Sequence, residues 1–400
     1  MKIALLIDEY FGGANTAFGG YGFLARYYIA KYINGHDIEL NVILGQSRKI
    51  HEVEENIVDN VKIYRLPAKS NIIKNWLRKQ NYDLFCSIEL TNPSYKILRY
   101  VKHKNLLLWI QDPRPESVWK KIRETMSLAL DPCIVDSRVP RLIRKLYRQN
   151  RVKFISQGIS LIPLAEKLYN VNLTQNTKVV RNPINIDYNF KFDLKAKKQQ
   201  VIFLGRLEPQ KRAWIFCEIA KNLPQYEFIV LGRFFRDEEK NKKLLEKYID
   251  KGINNLHFKG LVEGDEKLKI IKESRLLINT SIWEGIPISW LEALQYGTLI
   301  VSDLNNENLP SNFGKFIGTF NGDGFDSVDK FCKEIVEMMT DDSLYESKAL
   351  QAIDYVRANH GVKTFINSFK QAINETLELK PRDSFIQKLK RSIISIFKYA

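Results

Sequence analysis

The sequence predicts an α/β protein made of two doubly wound domains, each a parallel sheet with helices on both faces. Three observations support this. Short apolar runs alternate with helical patterns along most of the chain. Its 400 residues exceed one ordinary hydrophobic core. The polar segment NIDYNFKFDLKAKKQQ interrupts the alternation near the middle and separates two sets of strands.

In the first set, apolar runs at 2–7, 38–44, 61–65, 83–88, 105–110, 132–135 and 152–155 predict strands. The second set lies at 199–204, 227–231, 255–258, 275–279, 298–302 and 315–318. The expected domains are residues 1–185 and 186–365, joined near 184–198, with helices over 366–400 packing back on the first domain. Ligands of doubly wound sheets bind beyond the carboxyl ends of the strands. A central cleft that both domains face is therefore the expected site.

Composition narrows the function. Hydrophobic residues make up 44% and charged residues 27%, as in a globular protein. Cys86, Cys133, Cys217 and Cys332 are scattered in apolar runs without metal-ligand or CxxC spacing. They read as reduced core thiols of a cytoplasmic protein. The opening MKIALLIDEY ends its apolar run at Asp8 and reads as a buried strand, not a signal peptide. No stretch reaches the roughly 18 apolar residues of a membrane span. A soluble, internal protein is expected.

The net charge of +16 calls for an anionic partner. One basic cluster, SRVPRLIRKLYRQNRVK, carries Arg138, Arg141, Arg144, Lys145, Arg148, Arg151 and Lys153. A second closes the chain in DSFIQKLKRSIISIFKYA. There Phe385, Ile386, Leu389, Ile393, Ile396 and Phe397 follow helical spacing, flanked by Lys388, Lys390, Arg391 and Lys398. This segment suits either a peripheral anchor on the anionic inner face of a membrane or a terminal helix docked on its own domain. Neither cluster has the interleaved glycines and aromatics of a nucleic-acid module, so no nucleic-acid partner is expected.

The candidate chemistry lies in the loops after the strands. In NTSIWEGIPISWLEALQYGTLIVSD, residues 279–303, Glu284 falls between a strand and a helix predicted over 288–296. Pro287 suits the first helical position and Gly297 the left-handed cap. Glu292 lies one turn inside, on the face of Ile288. Two carboxylates near the free amides of residues 285–288 make a polar pocket suited to a ligand rich in hydroxyls. A helix cap followed by a solvated helix residue has the same spacing, so the other loops decide.

Those loops are glycine-rich and basic. In QQVIFLGRLEPQKRAWIFCEIAKNL, a strand runs into Gly205, and Arg206 and Lys211 precede a helix. Glycine allows close backbone approach, arginine can chelate phosphate oxygens, and lysine adds a mobile charge: a diphosphate cradle. DEYFGGANTAFGGYGFLARYYIAKYI brings Gly19 and Gly20 toward the same place, and EFIVLGRFF adds Gly232 and Arg233 after another strand.

Taken in order, Gly19-Gly20, RNPINID, GRLEPQK, VLGRF, HFKGLV and EGIPISWLE resemble the family 4 retaining glycosyltransferases of the GT-B fold, over most of residues 1–365. The resemblance implies that Glu284, Gly285, Ile286 and Pro287 face the donor sugar and Glu292 the nucleotide ribose. Arg206 and Lys211 would hold the diphosphate, with Gly232, Arg233, Gly260 and Val262 near the base. Asn182-Pro183 matches the hinge-side loop before the second domain. In the first domain, LLLWIQDPRPESVW matches a segment where the family often carries a donor-contacting histidine; here Gln111 takes that place, followed by Asp112. An amide can hydrogen-bond a sugar but cannot change charge near neutral pH, which opens the donor to deoxyhexoses. Alternatively, Asp112 and Arg114 only order the loop before Pro115.

The implied activity moves a hexose or deoxyhexose from a nucleotide sugar to a glycan or lipid-linked glycan in cell-surface polysaccharide synthesis. The leaving diphosphate gains negative charge, and fixed cations aimed at it lower the barrier. At about 4 Å and an effective dielectric near 20, each unit pair attracts by roughly 4 kcal/mol. Arg206 and Lys211 are thus expected to replace a metal, and no cofactor is expected. Other readings come from different classes. GYGFLA, with Gly20, Gly22 and Ala25, fits the dinucleotide pattern of an NAD-dependent oxidoreductase, although a loop of about a dozen residues separates it from its strand. A catalytically degenerate sugar-nucleotide-binding membrane scaffold, or a sugar-nucleotide epimerase or phosphorylase of the same fold, would share the phosphate loops.

Overall fold

The computed structural model describes residues 1–124, 137–173, 177–234, 238–250 and 252–382. The chain falls into two compact units. The first comprises Met1–Pro113, Val135–Arg181 and Lys363–Ala400; the second comprises Arg114–Ile134 and Asn182–Val362.

The first unit contains β1 (Lys2–Leu6), β2 (Glu39–Ser47), β3 (Glu54–Val58), β4 (Val61–Pro67), β5 (Leu84–Ile88), β6 (Asn105–Ile110), β7 (Val152–Ser156) and β8 (Lys178–Val179). They form one sheet in the order β3-β4-β2-β1-β5-β6-β7-β8. Every pairing is parallel except the β3–β4 hairpin. Ile3, Ala4, Leu5 and Leu6 are all fully buried. A central parallel strand is covered on both faces, which is why its sequence is a continuous apolar run rather than an alternating one.

β3 was not expected from the sequence. Its residues Glu54, Glu55, Asn56 and Ile57 are exposed, so no buried pattern marks it. The signal was the turn: Asp59 and Asn60 both have positive φ, as a two-residue hairpin requires. The run at 132–135 and the basic amphipathic segment from 383 onward lie outside the described residues. The helix Val362–Leu377 packs on the first unit. Phe365 stacks on Trp109 with ring centroids 5.5 Å apart, and the Trp109 indole donates to the Val180 carbonyl at 3.1 Å. Glu375 on the same helix pairs with Lys153 at 2.5 Å and Lys178 at 3.1 Å.

The second unit holds β9 (Lys198–Leu204), β10 (Glu227–Leu231), β11 (Leu256–Gly260), β12 (Ser274–Asn279), β13 (Leu299–Ser302) and β14 (Gly314–Phe316). Their order is β11-β10-β9-β12-β13-β14, with every pair parallel. Phe203, Phe216, Phe228, Trp290, Leu291 and Leu294 belong to one core that joins the sheet to its helices. In each sheet the winding reverses once, between β1 and β5 in the first and between β9 and β12 in the second. The loops leaving the strands at such a point diverge, and the gap between them is where this architecture binds ligands.

Candidate active site

Arg206 and Lys211 lie on the loop after β9, and Glu284 on the loop after β12. They flank the switch point of the second sheet. The Lys211 ammonium contacts the Glu284 carboxylate directly, and both side chains are largely shielded from water. Burial disfavours the Glu284 charge. The Lys211 charge and hydrogen bond outweigh it, helped by Ser281 and by the Arg206 charge, and hold the carboxyl below its ordinary range. Glu284 is therefore an ionised acceptor beside two cations. Arg206 itself reaches Glu208 at 2.7 Å.

Backbone locks this arrangement. Arg212 adopts a left-handed φ of 46° and turns the chain from Lys211 into the helix Ala213–Asn222. Its buried guanidinium pairs with Asp303 and donates to the Thr280 carbonyl at 2.7 Å and to the Phe320 and Gly322 carbonyls at 3.2 Å. Burial raises the Asp303 carboxyl to about 6, against the pull of Arg212. The Thr280 hydroxyl donates to the Lys211 carbonyl at 2.7 Å, so the two loops are stitched together. Asn306 donates to the Glu284 carbonyl at 2.8 Å and also to that of Gly285. The Asn182 amide reaches the Ile286 carbonyl at 3.4 Å. Sequence reasoning missed Arg212 and Asn306, because neither sits in a motif whose chemistry announces it.

Gly285, Ile286 and Pro287 follow Glu284 as expected, but the proline is not the first helical residue. Its ψ of 133° is extended, so Pro287 caps the helix Ile288–Leu294 from outside. Gly297 has the left-handed φ of 68° that the cap requires. Glu292 sits inside that helix and is gripped by Lys267, whose ammonium lies 2.8 Å from each carboxylate oxygen. Lys267 is a further residue that the sequence did not single out.

Gly232 and Gly260 come together with Gly205. The Gly232 amide donates to the Gly260 carbonyl at 2.8 Å, and the Gly205 amide to the Leu231 carbonyl at 3.0 Å. The Arg233 carbonyl accepts from the Leu207 amide at 2.9 Å, which fixes the turn that carries Arg206. Val262 is buried just beyond Gly260.

Gly19, Gly20, Gln111 and Asp112 belong to the first unit; Gln111 and Asp112 directly follow β6, and Gly19 and Gly20 open a helix well beyond the end of β1. The glycine-rich loop is filled by its own chain. The Glu9 carboxylate accepts from the Gly22 amide at 3.1 Å and packs against Gly19. A carboxylate lodged there would repel a pyrophosphate, which counts equally against the expected approach of Gly19 and Gly20 to a donor diphosphate, and β1 ends at Leu6 while the helix starts only at Gly20. Both facts weigh against a dinucleotide site. Glu89, in a left-handed conformation just after β5, accepts from the Gln111 amide at 2.6 Å and the Asp112 amide at 2.8 Å. Burial raises its carboxyl to about 7 despite those two bonds. Among the described residues, no cluster of three or more His, Cys, Asp or Glu could hold a metal ion.

The two switch-point sheets define the class: this is the GT-B fold of glycosyltransferases. Sucrose-phosphate synthase from Thermosynechococcus elongatus superposes with a TM-score of 0.71, covering 94% of this chain and 98% of that one at 13% identity. HepE from Anabaena, solved in complex with UDP-glucose, gives 0.68 over 94% and 100% of the two chains at 14% identity. Residues 185–353 match the family model described as glycosyl transferases group 1. One curated relative is the Escherichia coli UDP-Gal:alpha-D-GlcNAc-diphosphoundecaprenol alpha-1,3-galactosyltransferase, 31% identical over 164 residues, which are 38% of this chain and 39% of that protein. Another, an uncharacterized glycosyltransferase of Methanocaldococcus jannaschii, is 27% identical over 33% of this chain and 34% of its own. The chain thus spans well under half the length of the curated relatives it matches.

Proposed function

We propose that this protein is a retaining glycosyltransferase of family 4 type. It moves a hexose or deoxyhexose from a nucleotide-sugar donor to a glycan or lipid-linked glycan without a metal ion. The observation that carries this reading is the buried Lys211–Glu284 contact beside Arg206, at the switch point of the sheet in the domain that matches the family. An ammonium has three donors and can hold Glu284 while meeting a phosphate. Arg206 and Lys211 then neutralise the departing diphosphate, where charge develops as the glycosidic bond breaks. Glu284 accepts from donor-sugar hydroxyls, the amides of Gly285 and Ile286 donate to them, Pro287 holds that loop, and Glu292 takes the ribose. Gly232, Arg233, Gly260 and Val262 border the base, and Gln111 and Asp112 serve the sugar or acceptor side.

The lipid-linked acceptor draws support from the Escherichia coli relative, whose name gives UDP-galactose and a diphosphoundecaprenol-linked sugar. A cationic stripe supports work at an anionic membrane surface, on its cytoplasmic side, in surface polysaccharide synthesis. On the helix Arg138–Arg148, the side chains of Arg138, Arg141, Lys145 and Arg148 are exposed on one face, while Val139, Ile143 and Leu146 are buried on the other. No helix among the described residues is long and apolar enough to cross a membrane, and a cationic stripe of this kind suits peripheral contact with lipid. The test is a screen of UDP-, GDP- and dTDP-sugars with mass-spectrometric detection of a sugar added to lipid-linked acceptors. Transfer is expected, with the donor's anomeric configuration retained in the product when its anomeric proton is read by NMR. Stabilisation by NAD alone, with no transfer, contradicts the reading.

A further inference from the structure

The helix Glu116–Arg123 follows β6 in sequence, yet it belongs to the second unit. Val118 and Ile122 are its buried residues. Arg114, just before it, donates to the side-chain carbonyl of Gln210 at 3.4 Å, and the Gln210 amide donates to the Trp283 carbonyl at 2.8 Å. The Arg114 guanidinium also lies 5.2 Å from the centre of the Trp119 ring. Arg114 is thus held against the two loops that carry Lys211 and Glu284.

Lys121 comes one turn after Val118 and is half-buried, whereas its neighbours Lys120 and Arg123 are exposed. Its ammonium is within electrostatic reach of both Asp303 and Arg212, which places it at the carboxyl edge of the second sheet, beside the loops after β9 and β13. Burial pulls the ammonium below the ordinary lysine range, and the attraction of Asp303 offsets this only in part. Among the described residues Lys121 forms no ion pair and no side-chain hydrogen bond. An ammonium withdrawn from water without a close carboxylate is costly unless another anion meets it. Asp303 does not fill that role, because Arg212 already holds it.

We propose that Lys121 and Arg114 bind a phosphate or diphosphate group on the acceptor, and so select phosphate-linked acceptors over neutral glycans. The inference rests on the transferase reading above and narrows its acceptor class. In that reading Arg206 and Lys211 meet the donor diphosphate, so the two cations brought by a separate element answer a second anionic group. Arginine can chelate phosphate oxygens and lysine adds a point charge. The arriving phosphate would supply the counter-charge that Lys121 lacks.

The test titrates geranyl diphosphate and geraniol by calorimetry into protein saturated with UDP, so that the donor cradle is already occupied. The wild type is expected to bind the diphosphate far more tightly than the alcohol. Lys121→Met and Arg114→Gln should each weaken the diphosphate by about tenfold or more and leave the affinity for UDP unchanged. Lys121→Met should also hold or raise the melting temperature, because it removes a desolvated charge. A lysine present only to balance Asp303 would lower the melting temperature when replaced and leave the diphosphate affinity as it was. Equal binding of geranyl diphosphate by a folded Lys121→Met protein therefore overturns the proposal, as does a UDP-saturated wild type that does not bind it. Loss of UDP affinity in that variant assigns Lys121 to the donor cradle. A wild-type preference for UDP-glucuronate over UDP-glucose that vanishes in the variant assigns it to a carboxylate on the donor sugar. Either result overturns the acceptor assignment while leaving the donor site standing. A wild type that does not bind UDP overturns the donor-site reading itself, and this inference with it.

Discussion

A Cβ placed on Gly232 would lie 1.8 Å from the carbonyl oxygen of Gly205. The loops leaving β9 and β10 therefore touch backbone to backbone, and the turn that carries Arg206 leans on the turn that carries Arg233. Gly232→Ala would force these loops apart, with a cost of about 1–3 kcal/mol by analogy with overpacking elsewhere. A lowered melting temperature and weakened nucleotide binding are expected. A variant as stable as the wild type would show that the contact is dispensable.

Lys211 and Glu284 are in direct contact, so their effects on the proposed transfer should not add. Each alanine substitution is expected to lower turnover by roughly 10²–10³-fold, as removal of one transition-state donor does elsewhere. The double variant should lose little more than the worse single one. Steady-state rates of the three variants give the coupling directly, and full additivity would mean that the two residues work apart.

If Arg206 and Lys211 neutralise the leaving diphosphate as proposed, activity should not depend on added metal. Turnover after exhaustive treatment with EDTA should match the untreated rate, and recovery only on adding a divalent ion would assign the leaving-group charge to something other than Arg206 and Lys211.

Glu89 predicts a pH dependence of stability. Its folded carboxyl titrates near 7, above the ordinary value of 4.5, because burial disfavours the charge. Between those two values the folded chain binds the proton more tightly than the unfolded one. Stability therefore falls as pH rises through this window, by about 3 kcal/mol at most. Glu89→Gln should flatten the slope between pH 4.5 and 7 in denaturant titrations. A residual fall is expected up to about pH 6, because Asp303 is raised to that value by burial and has the same sign. An unchanged slope in the variant would place the Glu89 titration elsewhere.

The stripe on the helix Arg138–Arg148 should bind anionic vesicles. Each cation near such a surface is worth about 1 kcal/mol, so replacing Arg141, Lys145 and Arg148 by glutamine should weaken sedimentation with phosphatidylglycerol vesicles by well over tenfold. Removing residues 383–400 tests the terminal segment separately. Binding unaffected by either change would detach the protein from the membrane surface.

Much of this architecture was readable from residues. Strands such as β1, β5, β6 and β12 are buried on both faces, so their apolar runs stand out between helical patterns. Glu284, Arg206 and Lys211 were singled out from the loops after two strands, and the fold brings Lys211 and Glu284 into contact at the switch point of the second sheet. The exposed edge strand β3 hides because water-facing residues carry no pattern. Arg212, Asn306, Lys267 and Glu89 hide for another reason: each acts through a partner distant in sequence, at Asp303, Glu284, Glu292 and Gln111 respectively. Only the folded chain brings those pairs within reach.

The most direct test of the donor site is a crystal structure of the protein with UDP. The diphosphate is expected within about 3.2 Å of the Arg206 guanidinium and the Lys211 ammonium, with the ribose hydroxyls on Glu292. A nucleotide bound elsewhere, with Lys211 still on Glu284 and Arg206 still on Glu208, would contradict it.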